Sequence, residues 1–117
     1  ERGCRVSLFI DPALDAVRWA KRMGADRVEL YTEPYARAFM QSEAAARASF
    51  ATYVAAANEA HAQGLGVNAG HDLDLENLVL FRQCPHLDEV SIGHALISRA
   101  LFKGLDKVAR EYLAALA

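Results

Sequence analysis

Two segments of this chain carry residues suited to proton transfer and anion binding. They are Gly70-His71-Asp72 and Gly93-His94, and each directly follows a short apolar run. An imidazole ordinarily titrates near neutral pH, so His71 is a natural general acid or base. Asp72 beside it would orient the ring or bind a ligand hydroxyl. The structural alternative is that His71 caps the next helix and Asp72 merely favours the turn. Gly93-His94 precedes a helical pattern, and the free N–H groups at a helix start bind phosphate well. Alternatively, Gly93 only permits close strand–helix packing, with His94 as a first helical residue.

Glu29 lies between the apolar Val28 and Leu30. Alternation turns it away from them, toward the interior if the sheet curls into a barrel. A carboxylate there needs a cationic partner or a function, since burying a bare charge is costly. Asp11 could also face a site, but as a helix cap before Pro12 it already has a role. His61, near a helix end, and His86, after Pro85, read as structural or solvated. Glu29, His71, Asp72 and His94 are all metal-ligand types, yet their spacing matches no zinc pattern, so a metal centre stays a minor alternative.

The elements that would position these groups alternate. Strands are expected over residues 5–10, 27–31, 65–69 and 89–92. Asp11-Pro12 opens the first helix, which presents Ala16, Val17, Ala20 and Met23 on one face and stops at Gly24. A short helical stretch spans 35–40. Ser42 then starts a long alanine-rich helix to about Gln63, with Phe50, Val54 and Ala57 in helical register and Gly64 as its stop. Asp74 is a candidate cap for a helix carrying Leu75, Leu78 and Phe81. Another helical stretch starts near His94. A last helix runs from about Phe102, with Leu105, Val108, Tyr112 and Leu116 aligned. The order βαβαβαβα implies four parallel strands with right-handed crossovers. Polar residues at the C-terminal end of every strand favour half of a TIM-type (βα)8 barrel over an open α/β domain.

Composition narrows the function classes. The 117 residues are 53% hydrophobic and 24% charged, with a net charge of −2 and mixed signs, as in a single globular domain. No basic patch points to nucleic acid or an anionic membrane, and no apolar stretch is long enough to span a bilayer. Cys4 and Cys84 form no metal or redox spacing and read as reduced, mostly buried thiols of a cytosolic protein. The start at Glu1-Arg2-Gly3, without methionine, suggests that residues 1–117 are one half-barrel unit of a longer chain.

Four segments together resemble one family: RVSLFIDP at 5–12, ADRVELYT at 25–32, GVNAGHDL at 66–73 and EVSIGHAL at 89–96. In this order they are similar to the C-terminal half of the pyridoxine 5′-phosphate synthase family. The resemblance implies a homo-oligomeric (βα)8 barrel enzyme of the cytoplasm. Such an enzyme condenses 3-amino-2-oxopropyl phosphate with 1-deoxy-D-xylulose 5-phosphate, releasing pyridoxine 5′-phosphate, phosphate and water without metal or organic cofactor. It further implies that His71 donates a proton, that Glu29 is catalytic, that Asp72 contacts substrate, and that Gly93 and His94 bind a substrate phosphate. Thr32 and Asn68 would stand behind them. Two departures stand out. Glu33 replaces a glycine common in the family, and the other half's histidine, glutamate and basic phosphate contacts have no substitutes here. The resemblance therefore implies that these residues alone lack complete catalysis. The rival readings are a half barrel that binds phosphorylated metabolites without turnover, closing as a homodimer, and an open α/β interaction domain.

Overall fold

The structure, a computed structural model, describes residues 2–117; Glu1, where the expected unit begins, lies outside them. The chain runs β1 (Ser7–Ile10), α1 (Leu14–Arg22), β2 (Arg27–Tyr31), α2 (Glu33–Gln41), α3 (Glu43–Ala62), β3 (Gly66–Gly70), α4 (Leu78–Phe81), β4 (Leu87–Ser91), α5 (His94–Lys103) and α6 (Leu105–Leu116). All strand pairs are parallel, and the sheet order is β1-β2-β3-β4. A doubly wound sheet reverses its strand order at a switch point. This sheet never reverses, so each crossover advances it one strand in the same direction, as in half of a barrel.

The two sheet faces differ as that architecture requires. Ile10, Val28, Leu30, Val67 and Ala69 are buried against the helices. The opposite face carries the alternate residues, among them Phe9, Arg27, Glu29, Tyr31 and Asn68. Phe9 is 52% exposed there, because no layer covers that face. Beneath the sheet, Tyr35, Phe39, Phe50, Tyr53 and Phe81 form an aromatic cluster with ring centroids 5.0 to 6.3 Å apart. Edge-on and tilted contacts at such distances add specificity to the burial.

Several local expectations need correction. Asp11 does not cap α1: the Ala13 N–H turns back onto the Asp11 carbonyl at 2.8 Å, making a tight turn around Pro12. Ala13 therefore stays extended (φ −123°, ψ 140°), and the helix starts at Leu14. Met23 falls one residue past α1 and is 62% exposed. Ser42 does cap α3, accepting the Ala45 N–H at 3.0 Å. The buried stripe of α3, however, is Ala46, Tyr53, Ala56, Ala57 and Ala60, with Phe50 and Val54 at its flank. The small alanines let the helix lie close to its neighbours. The last helix begins at Leu105, because Gly104 at φ +90° breaks the run; Phe102 belongs to α5 and is exposed.

The two thiols part company as well. Cys84 is buried, and burial pushes its thiol up to about 11, whereas Cys4 lies exposed in the segment before β1.

Candidate active site

β3 delivers Gly70, and the chain then turns through two left-handed residues, His71 at φ +88° and Asp72 at φ +57°. The turn is therefore made by the histidine and aspartate, not by the glycine before them. Thr32, fully buried just past β2, holds this bend. Its N–H donates to the Gly70 carbonyl at 2.9 Å. Its hydroxyl lies 2.6 Å from the Gly70 carbonyl oxygen and 2.5 Å from that of His71, so one proton serves two acceptors in turn. On the far side, Asn77 Nδ2 donates to the Asp72 carbonyl at 3.0 Å. The Asp74 side chain caps the following turn, accepting the N–H groups of Glu76 and Asn77 at 2.9 Å.

With its backbone pinned, His71 leaves its imidazole exposed between two aromatic rings. Phe9 is 5.0 Å away and Tyr31 5.4 Å, measured between centroids. These rings, from β1 and β2, confine the imidazole; neither was legible as a site residue. Among the described residues, no hydrogen bond joins the side chains of His71 and Asp72.

Glu29 lies on the open face of β2, as alternation predicts, with its Oε1 in the space where Gly70 would carry a Cβ. Among the described residues it has no basic partner within 4 Å. The expected partner is not required, because the side chain is only partly buried and keeps contact with water. Its register neighbour Asn68 is engaged elsewhere: Asn68 Oδ1 accepts from Arg27 at 2.8 Å. Arg27 also lies 3.7 Å from the Asp88 carboxylate, which itself accepts the Val67 N–H at 3.0 Å. This network ties β2, β3 and β4 at the rim away from His71.

Gly93 precedes the first residue of α5, His94, and among the described residues no side chain caps that helix. A Cβ on Gly93 would meet nothing within 4 Å, so close packing does not account for the glycine. Open space above unpaired helix N–H groups suits an incoming oxyanion.

Glu29, His71, Asp72, Gly93 and His94 come together around one open cleft of about 600 Å³ at the C-terminal ends of β2, β3 and β4. A narrower cleft of about 360 Å³ meets it at Asp72, Gly93 and His94 and runs outward past Arg37 and Met40. Arg37 there is paired with Glu33. Asp11 lies apart, lining a cleft with Trp19 and Arg22 beside α1. His61 and His86 stack on one another at 3.8 Å, away from the cleft. Among the described residues, no three His, Cys, Asp or Glu side chains converge as a metal site would require.

Comparison with known proteins decides the relationship. All of residues 1–117 match the family described as pyridoxal phosphate biosynthesis protein PdxJ. The chain belongs to the PdxJ family. It is 55% identical over 111 residues to a pyridoxine 5′-phosphate synthase of Porphyromonas gingivalis, covering 94% of this chain and 45% of that protein. To the pyridoxine 5′-phosphate synthase of Bacteroides fragilis it is 54% identical over 111 residues, 94% of this chain and 46% of the relative. That of Xanthomonas campestris pv. campestris is 50% identical over 116 residues, 98% of this chain and 44% of the relative. The chain thus spans about half the length of the curated PdxJ relatives it matches. Among the described residues, no helix is long and apolar enough to cross a membrane.

Proposed function

We propose that this chain supplies one half of the active site of a pyridoxine 5′-phosphate synthase. Its substrates would be 3-amino-2-oxopropyl phosphate and 1-deoxy-D-xylulose 5-phosphate, and its products pyridoxine 5′-phosphate, phosphate and water. The observation that carries the reading is the meeting of Glu29, His71, Asp72, Gly93 and His94 around one cleft. His71 is the proton donor: its exposed imidazole stands on a pinned backbone, ready to protonate a departing hydroxyl. Glu29, across the cleft, takes up or returns protons as the ring closes. Dehydration and ring closure need such transfers repeatedly, and positioned acid/base groups speed each by about 10²–10⁴-fold. The N–H groups around Gly93 and His94 hold a substrate phosphate, and Asp72 contacts the substrate beside it.

The second half of the site belongs to a companion half barrel. The uncovered sheet face and the single-neighbour strands β1 and β4 support that arrangement, since open edges invite pairing. We place the protein in the cytoplasm, as a homo-oligomer of complete (βα)8 barrels. On this reading residues 1–117 alone do not complete the reaction. An intact mass near about 25 kDa for the natural protein, the scale of one whole barrel, is the expected result for the domain arrangement. A natural protein of 12.8 kDa would turn the reading toward a self-pairing binder.

The decisive experiment is His71→Ala in the intact natural protein, with steady-state kinetics on both substrates. Turnover should fall by at least about 10²-fold while KM changes little, as for a group acting mainly in the transition state. Turnover near the wild-type value would overturn the assignment.

A further inference from the structure

The glycine that ends β3 has no conformational reason to be there. Gly70 is not among the left-handed residues, and any side chain is compatible with its strand backbone. What the position lacks is room. A Cβ on Gly70 would overlap Glu29 Oε1, and would lie 3.2 Å from Ser91 Cβ and 3.3 Å from the Ser91 carbonyl oxygen. The serine contacts are tight but need only a few tenths of an ångström of relief. The Glu29 oxygen would have to move away entirely, and it is the free end of a flexible side chain.

We propose that Gly70 is a positioning residue, whose missing side chain is the seat of the Glu29 carboxylate. The seat places that carboxylate beside the bend that carries His71. Two features make it rigid. The Gly70 carbonyl is held by both the N–H and the hydroxyl of Thr32, so the backbone beneath the carboxylate is fixed. Ser91 of β4 walls the far side. Glu29 Cα pairs with Asn68, two residues before Gly70, so the side chain leans along β3 toward the cleft to reach its seat. Shape therefore places the acid without an ion pair, which would otherwise oppose its taking up a proton. This inference rests on Glu29 acting as an acid/base group with His71.

The test uses the intact natural protein with Gly70→Ala, Glu29→Gln and the double variant, measuring kcat, KM and thermal midpoint. Gly70→Ala should leave KM within about twofold and lower kcat by about 10²-fold, the scale of loss for a misplacement of roughly 1 Å. The double variant should be no slower than Glu29→Gln alone, because both changes remove the same group. On a Glu29→Asp background, where the shorter side chain leaves the seat free, Gly70→Ala should cost much less. Wild-type kcat in Gly70→Ala, with Glu29→Gln slow, overturns this inference alone. Independent, multiplying losses do the same. Should Gly70→Ala fail to fold, the Glu29→Asp double variant must fold, and its failure too would refute the seat. Wild-type kcat in Glu29→Gln would remove the underlying reading of Glu29, and the inference with it.

Discussion

The bend at His71 makes a stability prediction that separates backbone from side chain. His71→Ala and His71→Gly both remove the imidazole and its contacts with Phe9 and Tyr31. They differ only in what occupies a backbone at φ +88°. A residue with a Cβ is disfavoured there by about 1–2 kcal/mol, and glycine is not. Against that, glycine loses more chain entropy on folding, by roughly 0.5–1 kcal/mol. The balance favours His71→Gly over His71→Ala by about 0.5–1 kcal/mol, opposite in sign to the usual order. With a urea dependence of about 2 kcal/mol per molar, that is a midpoint higher by roughly 0.3–0.5 M. Equilibrium urea unfolding of the two variants, followed by circular dichroism, measures it directly. Ala44→Gly, on the exposed start of α3, supplies the control and should lose about 1 kcal/mol in the ordinary direction. If His71→Ala matches or exceeds His71→Gly, the left-handed bend carries no strain and the reasoning is wrong.

Thr32→Val keeps the shape of a buried side chain but deletes the hydroxyl shared by the Gly70 and His71 carbonyls. Gly70 retains the Thr32 N–H and water can reach His71, so the loss should be near about 1 kcal/mol, the net worth of one hydrogen bond. Turnover should fall more than that stability change explains, and an unchanged turnover would deny Thr32 any part in holding His71. Tyr35 contributes to behaviour at high pH. Burial, helped by the nearby Asp74 charge, pushes its hydroxyl up to about 12, and burial raises that of Tyr53 as well. The folded chain therefore holds these protons more tightly than the unfolded one. The stability contributed by these two protons should be full below pH about 10, the value for a free tyrosine, and fall as pH rises toward 12. Tyr35→Phe should make that fall shallower, whatever it costs by losing its hydrogen bond to the Asn77 carbonyl. An unchanged slope between pH 9 and 11 would exclude Tyr35 as a source.

The parts of this fold that were legible are those set by short-range pattern. β2 ends where alternation places it, because Val28 and Leu30 must face the helices and Glu29 then cannot. Ser42 and Gly64 bracket α3 by local cap chemistry alone. The start of α1 was not legible, since Asp11-Pro12 has the composition of a cap yet closes a separate turn onto Ala13. Four of the candidate residues were readable as groups just past a strand and Glu29 as an inward-facing strand residue, and the structure brings all five to one cleft. What holds them there was hidden, because it depends on pairs distant in sequence. Thr32 meets Gly70 and His71 across 38 and 39 residues, and Phe9 meets His71 across still more. No local window contains both partners.

The network of Arg27, Asn68 and Asp88 is centred on Arg27, at the end of the sheet away from His71. Its placement divides the molecule's vulnerabilities between two rims. A substitution among these three weakens the seam between β2, β3 and β4, and the cell would feel it as a lower amount of folded protein. At the opposite rim, on the proposed reading, a substitution would act on chemistry as well, beyond any loss of stability. The same division offers a practical route to a sturdier protein: reinforce the sheet around Arg27, away from His71.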